Sequence, residues 1–269
     1  MTLANPLKAN WLANRKQKND RVDAKKLARF LRMGKVPESY VPPEELRKYC
    51  ALARGRKELT NKQTDFQNEV HALLDQQGIT HEGSLCSNEE REFLPELTLE
   101  ESWQLLLDQW LEAINEFDVK IKRTRRKTET VARKVEEMDF LMSTPGIAAC
   151  SGLMVYGEIG EVDRFDQANE IVSYAGSDPV VCESGDSRTE GGKISKRGND
   201  YLRRILVQSA NTVVHNAKDP YLSEFYWRLR DKRNKPHKVA IVATARKLLV
   251  SIFHMLRNKQ EYDPPGMSA

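Results

Sequence analysis

Apolar side chains recur along most of this chain at spacings of three and four residues, the pattern of amphipathic helices. The spacing predicts a first helix over residues 20–31 and a long second helix over residues 44–77, which Gly78 ends. No run shows the alternation of a strand, so the expected fold class is mainly α. Further helices are predicted over residues 148–155, 166–174, 201–215, 221–231 and 239–255.

One segment has a very regular pattern, in which apolar or threonine side chains alternate between steps of four and three residues. Its seam consists of Trp103, Leu107, Trp110, Ile114, Phe117, Ile121, Thr124, Thr128, Val131, Val135, Met138 and Met142. This is the 3.5-residue period of a coiled coil, and Thr98 with Glu101 predicts a capping box before it. The seam is expected to pack against the helix over residues 44–77, against a second chain, or against both.

The composition is that of a polar chain of 269 residues, with 39% hydrophobic and 30% charged residues. No run approaches the roughly 18 apolar residues of a membrane span, and the first residues lack the pattern of a signal peptide. A cytoplasmic location without a membrane partner is therefore expected. The four cysteines are scattered without a Cys-x-x-Cys pair, which argues against a zinc site or a disulfide framework.

The net charge of +4 is unevenly distributed along the chain. Residues 120–134 contain eight basic side chains and one acid, and residues 228–247 also contain eight and one. Basic clusters separated by neutral stretches suit a polyanion that is contacted in several places, although ordinary solvated helix faces carry such runs as well. Nucleic acid is therefore the first partner to consider.

The segment over residues 173–204 combines five glycines, many basic side chains and the start of a helix. Glycine lets a backbone approach a phosphate, basic side chains neutralise it, and a helix N-terminus, here capped by Asn199, offers free N–H groups. Ser184 lies in this predicted loop, either as an ordinary turn serine or as a nucleophile beside bound DNA. The predicted DNA contacts are Arg188, Lys193, Lys196, Arg197, Asn199, Arg203, Arg204 and, further along the chain, Lys238.

Two smaller motifs indicate further sites. Asp20 and Asp23 are three residues apart at a helix N-terminus, where they can share a hard cation such as Mg²⁺ or simply complement the helix dipole. Pro145 and Gly146 form a turn ahead of a helix of small residues, which has the form of a helix-hairpin-helix. The backbone N–H groups of such a turn, including that of Gly146, can hold a DNA phosphate without reading the base sequence.

A series of short motifs in fixed order resembles the C-terminal domain of the DEDD insertion-sequence transposases, a family that includes the Piv-type DNA invertases. The motifs are Pro145-Gly146-Ile147, Gly157-Glu158-Ile159-Gly160, Arg164-Phe165, Tyr174-Ala175-Gly176, Glu183-Ser184-Gly185, the run over residues 192–199, Phe225-Tyr226 and Ala245-Arg246-Lys247. Upstream, Asn5-Pro6 and the pair Asp20 and Asp23 resemble the end of the family's RuvC-like domain. The similarity extends over nearly the whole chain.

This resemblance implies a DNA transposase or site-specific recombinase. Ser184 would be the serine that forms a covalent phosphoserine link to DNA, and Asp20 and Asp23 would be the two later acids of a four-acid set that holds Mg²⁺. The family also implies a structured guide RNA, and dimers or tetramers assembled through the coiled coil. Its first two acids lie ahead of the Asn5-Pro6 motif, so the resemblance implies that this chain lacks them and is truncated.

The expected organisation has four parts. The remnant of an α/β RuvC-like domain occupies residues 1–35, a helical linker and coiled coil residues 36–140, a helical transposase domain with the helix-hairpin-helix residues 141–263, and a tail residues 264–269. Two other functions stay open. One is a non-catalytic remnant that binds DNA or RNA, or that poisons an intact transposase by joining its coiled coil. The other is a helix-hairpin-helix accessory of DNA repair.

Overall fold

A computed structural model of the chain describes residues 3–4, 20–79, 93–94, 97–178, 182–184, 187–189, 194 and 198–264. The chain divides into two compact units, Met1–Glu44 and Glu45–Ala269. The described residues are mainly helical, as the spacing of apolar side chains predicts.

The first unit contains helix α1 (Asp20–Arg32), close to its predicted position. No residue of α1 is buried, and Asp20 and Asp23 lie in its first turn. Two arginines occupy the last turn, so the charges at both ends complement the helix macrodipole. An antiparallel bridge joins Ala4 to Glu38 in the same unit.

A helical hairpin begins the second unit and consists of α2 (Glu44–Gln76) and α3 (Glu101–Ala132). The first part of the predicted seam packs within the chain against α2, as one of the expected alternatives. Phe66 stacks on Phe117 with 5.9 Å between the ring centroids, and the Gln63 amide donates to the Ile114 carbonyl at 3.2 Å. The hydrophobic cluster between the two helices consists of Val70, Leu73, Leu74, Leu94, Leu107 and Ile114.

The predicted capping box at the start of α3 is wrong. The helix begins at Glu101 with Glu100 as its N-cap, and no side chain caps it. Thr98 is therefore two residues too early to reach the N–H group that a capping side chain bonds. Instead, the Gln104 side chain accepts a hydrogen bond from the Leu99 N–H at 3.0 Å.

The predicted seam is also not one continuous helix. α3 ends at Ala132, a turn follows, and α4 spans Glu137–Ser143. The turn changes the phase of the helix, so Met138 and Leu141 are buried, whereas Met142 is 47% exposed. The second part of the seam thus leaves the helical hairpin and contributes to a separate, larger core.

Five further helices form this larger core, and each lies near a predicted position. Two of them continue into a π-helical turn, Val213–Ala217 and Arg228–Lys232. The last helix packs against three of the others. The five helices are α5 (Ala149–Ile159), α6 (Ala168–Tyr174), α7 (Asp200–Thr212), α8 (Pro220–Trp227) and α9 (His237–Asn258).

By length and composition alone, α9 is apolar enough to cross a membrane, which differs from the expectation that no segment approaches a span. Its apolar character has another cause, because 56% of its most apolar window is buried within the protein. A helix that is apolar on most sides is typical of the centre of a helical domain. Ten of its residues are buried: Ala240, Ile241, Thr244, Ala245, Leu248, Leu249, Ile252, Phe253, Met255 and Leu256.

A short β-hairpin interrupts the helical pattern, with antiparallel strands β1 (Cys182–Ser184) and β2 (Ser187–Thr189). The sequence pattern predicts mostly loop and tight turns here and does not reveal the two strands. Strands of three residues are too short to show a reliable alternation of apolar and polar side chains.

Candidate serine site and nucleic-acid interface

Ser184 is the last residue of β1, where its backbone pairs with that of Ser187 on β2. Two residues connect the strands, so Ser184 lies next to the tip of the β-hairpin. Arg188 lies opposite Glu183 in the same register. Three of the predicted DNA contacts, Lys193, Lys196 and Arg197, lie outside the described residues.

The segment that carries this β-hairpin, residues 177–197, is closed at its base by close contact between backbone atoms. The Asn199 N–H donates a hydrogen bond to the Tyr174 carbonyl at 2.8 Å. Gly176 has a φ of 65°, and a Cβ atom at this position would lie 2.6 Å from the nitrogen of Gly198. The two ends of the segment therefore lie next to each other at the N-terminus of α7.

We expect Gly198→Ala to lower the free energy of unfolding by about 1–3 kcal/mol, because its Cβ would overlap the backbones of Gly176 and Tyr174. Gly55, at an exposed interior position of α2, provides a matched control, since nothing lies within 4 Å of a Cβ atom there. Gly55→Ala is expected to raise the free energy of unfolding by about 0.5–1 kcal/mol. Urea unfolding measures both effects, and an unchanged midpoint for Gly198→Ala would contradict the closed base.

Asn199 caps α7, as predicted, because its side-chain oxygen accepts a hydrogen bond from the Leu202 N–H at 3.0 Å. The side-chain amide of Asn199 also donates to the Glu158 carboxylate at 2.7 Å. Glu158, on α5, accepts two more hydrogen bonds from the Arg54 guanidinium, at 2.6 and 2.7 Å. This network joins α2, α5 and the start of α7 immediately beside the closed base of the serine segment.

The two charged partners of the network differ in burial. The Glu158 side chain is 2% exposed, whereas that of Arg54 is 43% exposed and lies over the Tyr201 ring. The two hydrogen bonds that the Arg54 guanidinium donates to the carboxylate raise the pKa of Arg54. Burial, followed by the charge of Glu158, raises the pKa of the neighbouring Cys50 thiol to about 11. Cys50 is therefore protonated at neutral pH and has little thiolate character.

The remaining basic side chains of the predicted interface have different surroundings. Arg203 donates to the Ala175 carbonyl at 3.0 Å and pairs with Asp200, and its side chain is only 13% exposed. It thus supports the base of the serine segment, and its contact with DNA stays a prediction. Arg204 is exposed on α7, and Lys238 is exposed in the first turn of α9.

Gly146 lies in the turn between α4 and α5 with a φ of 83°. A Cβ atom there would be 3.0 Å from the Val213 side chain and 3.3 Å from that of Thr212. The positive φ and this close approach both require glycine, whether or not the turn contacts DNA. The phosphate contact expected from a helix-hairpin-helix remains a prediction.

Asp20 and Asp23 lie one helical turn apart on α1, in the first unit, whereas Ser184 belongs to the second. Within the described ranges, no group of three or more His, Cys, Asp or Glu side chains is placed to hold a metal ion. Mg²⁺ requires a nearly octahedral shell of oxygen atoms. Two carboxylates from one turn supply only part of that shell.

Comparison with known proteins covers both units. Residues 1–79 match a family model described as a transposase of the DEDD IS110 type, and residues 138–227 match the transposase IS116/IS110/IS902 family. The chain is 26% identical over 253 residues to the transposase of insertion sequence element IS1111A from Coxiella burnetii, covering 91% of this chain and 68% of that protein.

The pilin gene-inverting protein of Moraxella bovis is also 26% identical, over 224 residues that cover 79% of this chain and 65% of that protein. The chain thus spans about two thirds of the length of these relatives. The two family models match separate parts of one chain, and both relatives are named for the rearrangement of DNA segments. Together with the ordered motifs, they show that the chain belongs to the DEDD insertion-sequence transposases, a family of DNA-recombining enzymes.

Proposed function

We propose that this chain carries the serine nucleophile, Ser184, of a transposase that cuts and rejoins DNA during transposition or site-specific recombination, and that cleavage needs further acids besides Asp20 and Asp23. The observation that carries the proposal is the location of Ser184 at the tip of a β-hairpin within a segment closed by Gly176 and Gly198. Both ends of this segment lie beside the N-terminus of α7, which carries the proposed DNA contacts Asn199, Arg203 and Arg204. A nucleophile must be positioned beside one phosphorus atom, and these contacts would place a bound strand next to the segment that carries Ser184.

The proposed step is a transfer of a phosphoryl group to the serine. The Ser184 hydroxyl gives up its proton as its oxygen bonds to the phosphorus. The bond from phosphorus to one deoxyribose oxygen breaks, and that oxygen takes up a proton and leaves as a hydroxyl. The resulting phosphoserine diester conserves the energy of the broken bond. Attack by a deoxyribose hydroxyl on this diester rejoins DNA and releases the serine.

Mg²⁺ is the proposed cofactor, and Asp20 and Asp23 are the described residues that would hold it. When bound, the ion would supply positive charge that stabilises the transferring phosphoryl group. In this proposal residues 1–35 are the remnant of a RuvC-like domain, because that fold provides the acids in the related transposases. The remaining oxygen ligands of the ion would come from groups other than Asp20 and Asp23.

DNA would be held by charge rather than by reading of bases. Glycine turns and basic side chains contact phosphates, which fixes the register of a protein on DNA without sequence specificity. The proposed contacts are the turn at Gly146 and the basic side chains Arg188, Lys193, Lys196, Arg197, Arg203, Arg204 and Lys238, with Asn199 at the N-terminus of α7.

A homodimer or tetramer and a structured guide RNA are the other proposed partners. Leu105 and Val119 on α3 are 57% and 67% exposed and are fourteen residues, or two heptads, apart. This outer side of α3 is the proposed surface for coiled-coil assembly, because the inner side already packs against α2. The eight basic side chains of residues 120–134 support contact with RNA.

A non-catalytic role is the second candidate, favoured by the small number of acids that the described residues place together. In that role the chain would bind DNA or RNA without cutting it. It would also lower the activity of an intact transposase by joining its assembly. The two candidates therefore agree on binding and differ on chemistry.

The catalytic and the non-catalytic role can be distinguished by comparing the 269-residue chain with a longer chain. The longer chain adds an N-terminal segment that bears two further acids. In Mg²⁺ the shorter chain is expected to bind labelled duplex DNA, but neither to nick it nor to form a covalent adduct. The longer chain is expected to do both, and EDTA should abolish its activity. Mass spectrometry of the trapped adduct should locate the link at Ser184.

Two outcomes would contradict the proposal. Robust Mg²⁺-dependent cleavage by the 269-residue chain alone would show that the metal site does not need further acids. An adduct on another residue of the longer chain would exclude Ser184 as the nucleophile. A longer chain that binds DNA without any cleavage would favour the non-catalytic role.

A further inference from the structure

A cleft of about 180 Å³ lies between α2, α3, α5 and α7 in the second unit. Three basic side chains line it: Arg56 and Lys57 from α2, and Arg204 from α7. Its polar lining also includes Ser151, Tyr201 and Gln208, and no carboxylate is among its described lining residues. The cleft therefore concentrates positive charge from two helices that are far apart in the sequence.

None of the three cations forms an ion pair within the part of the chain that the structure describes, although the charge of Glu58 also acts on Lys57. The Nε atom of Arg56 is buried and has no hydrogen-bond partner there. A buried N–H group without an acceptor is costly, so an acceptor that entered the cleft would be bound favourably. Burial, and next the charge of Arg204, lowers the pKa of Lys57, as expected where like charges converge.

The N-terminus of α5 adds further donors to the same cleft, since Cys150 and Ser151 of its first turn line it. The N-cap residue, Ala148, has no side-chain acceptor to offer this helix. The Ser151 hydroxyl oxygen accepts a hydrogen bond from the Ala148 N–H at 2.9 Å. The N–H groups of residues 149–151 are the first of the helix and therefore have no intrahelical acceptor. The positive end of the helix dipole favours an anion beside them.

We propose that this cleft binds one phosphodiester group of a nucleic-acid backbone, held by Arg56, Lys57 and Arg204 at the uncapped start of α5. Phosphate oxygens are strong acceptors, and they form short, charge-assisted hydrogen bonds with guanidinium and backbone N–H groups. The choice of nucleic acid rests on the proposed function, because a transposase acts on DNA. The site is built by helices rather than by the serine segment, so it would fix the nucleic acid at a second place.

The experiment measures the salt dependence of nucleic-acid binding by fluorescence anisotropy. It compares the parent chain with the triple variant Arg56→Gln, Lys57→Gln and Arg204→Gln, and with Arg204→Gln alone, which changes only an exposed side chain. A control variant removes three exposed charges that lie outside the cleft: Arg47→Gln, Lys62→Gln and Lys218→Gln. Labelled duplex DNA and labelled single-stranded RNA are tested in parallel to distinguish the two sources of the phosphodiester.

If the three cations share one phosphate, the slope of log K against log salt concentration should become less negative in the triple variant, by about 0.9 for duplex DNA or about 0.7 for single-stranded RNA. Arg204→Gln should change the slope in the same direction, and the control should leave it unchanged. Circular dichroism verifies that each variant is folded. If the triple variant does not fold, the slope measured for Arg204→Gln alone tests the proposed site.

A cleft variant that binds with the slope of the parent chain for both nucleic acids would overturn this site and leave the serine mechanism intact. An equal change in the slope of the control variant would also overturn this site, since any exposed cation would then contribute equally to phosphate binding. A parent chain that binds neither nucleic acid would contradict the proposed function itself. The three outcomes are distinct in one set of titrations.

Discussion

Ser184→Ala is expected to abolish strand cleavage and adduct formation in an assembly that otherwise cuts DNA, a loss of at least about 10³-fold. The reason is that alanine removes the oxygen that would attack the phosphorus. DNA affinity is expected to change little, because the substitution removes no charge and the phosphate contacts stay in place. Cleavage of labelled duplex and anisotropy titrations measure the two effects separately.

Ser187→Ala provides the matched control for this experiment. Ser187 is the cross-strand partner of Ser184, so the same substitution is made in the same β-hairpin. The control is expected to retain cleavage. Full recombination by Ser184→Ala would exclude the serine as nucleophile, and an equal loss in both variants would attribute the effect to the structure of the β-hairpin.

The positions of the helices could be predicted closely because their ends carry local signals. The helix predicted over residues 44–77 ends one residue early, at Gln76, and Gly78 follows with the positive φ that such a terminus requires. The break between α3 and α4 has no such signal, since no glycine or proline lies in residues 133–136. It results from long-range packing, which places Met138 and Leu141 in the larger core.

The contrast between local sequence signals and long-range packing also applies to the candidate site. Asn199 could be recognised as a cap because capping depends on residues three positions apart. The pair of Arg54 and Glu158 joins positions 104 residues apart, and no periodicity reports a contact of that kind. One local signal was available: Glu158 is the single charged residue of α5, a helix whose other residues are apolar, small or hydroxylated. A buried acid in such a helix needs a charged or hydrogen-bonding partner.

Arg54→Met is expected to lower the free energy of unfolding by about 2–3 kcal/mol, because it removes both guanidinium hydrogen bonds from the buried Glu158 carboxylate and leaves it with neutral donors such as the Asn199 amide. Removing one partner of a buried ion pair typically costs about 3–5 kcal/mol. The smaller figure applies here because the Arg54 side chain is 43% exposed, so water can replace part of the lost interaction. Urea unfolding of the two chains measures the difference.

Two further variants test whether burial of the Glu158 charge causes the loss of stability in Arg54→Met. Glu158→Gln is expected to cost only about 1 kcal/mol, since the amide oxygen still accepts a hydrogen bond and no unpaired charge is buried. Arg125→Met removes the exposed ion pair with Glu129, which has a similar N–O distance of 2.9 Å, and no measurable change is expected. Equal losses for Arg54→Met and Arg125→Met would contradict a special role for the buried pair.

Arg54→Met should also affect the serine segment, residues 177–197. Glu158 accepts a hydrogen bond from Asn199, which lies just after the end of that segment. Loss of Arg54 weakens this support, so local opening of residues 177–197 should become more frequent. Trypsin would then cleave after Lys193, Lys196 or Arg197 faster in Arg54→Met than in Arg125→Met, under conditions where both chains stay folded. Equal cleavage rates would show that the buried pair stabilises the helices without positioning the segment that carries Ser184.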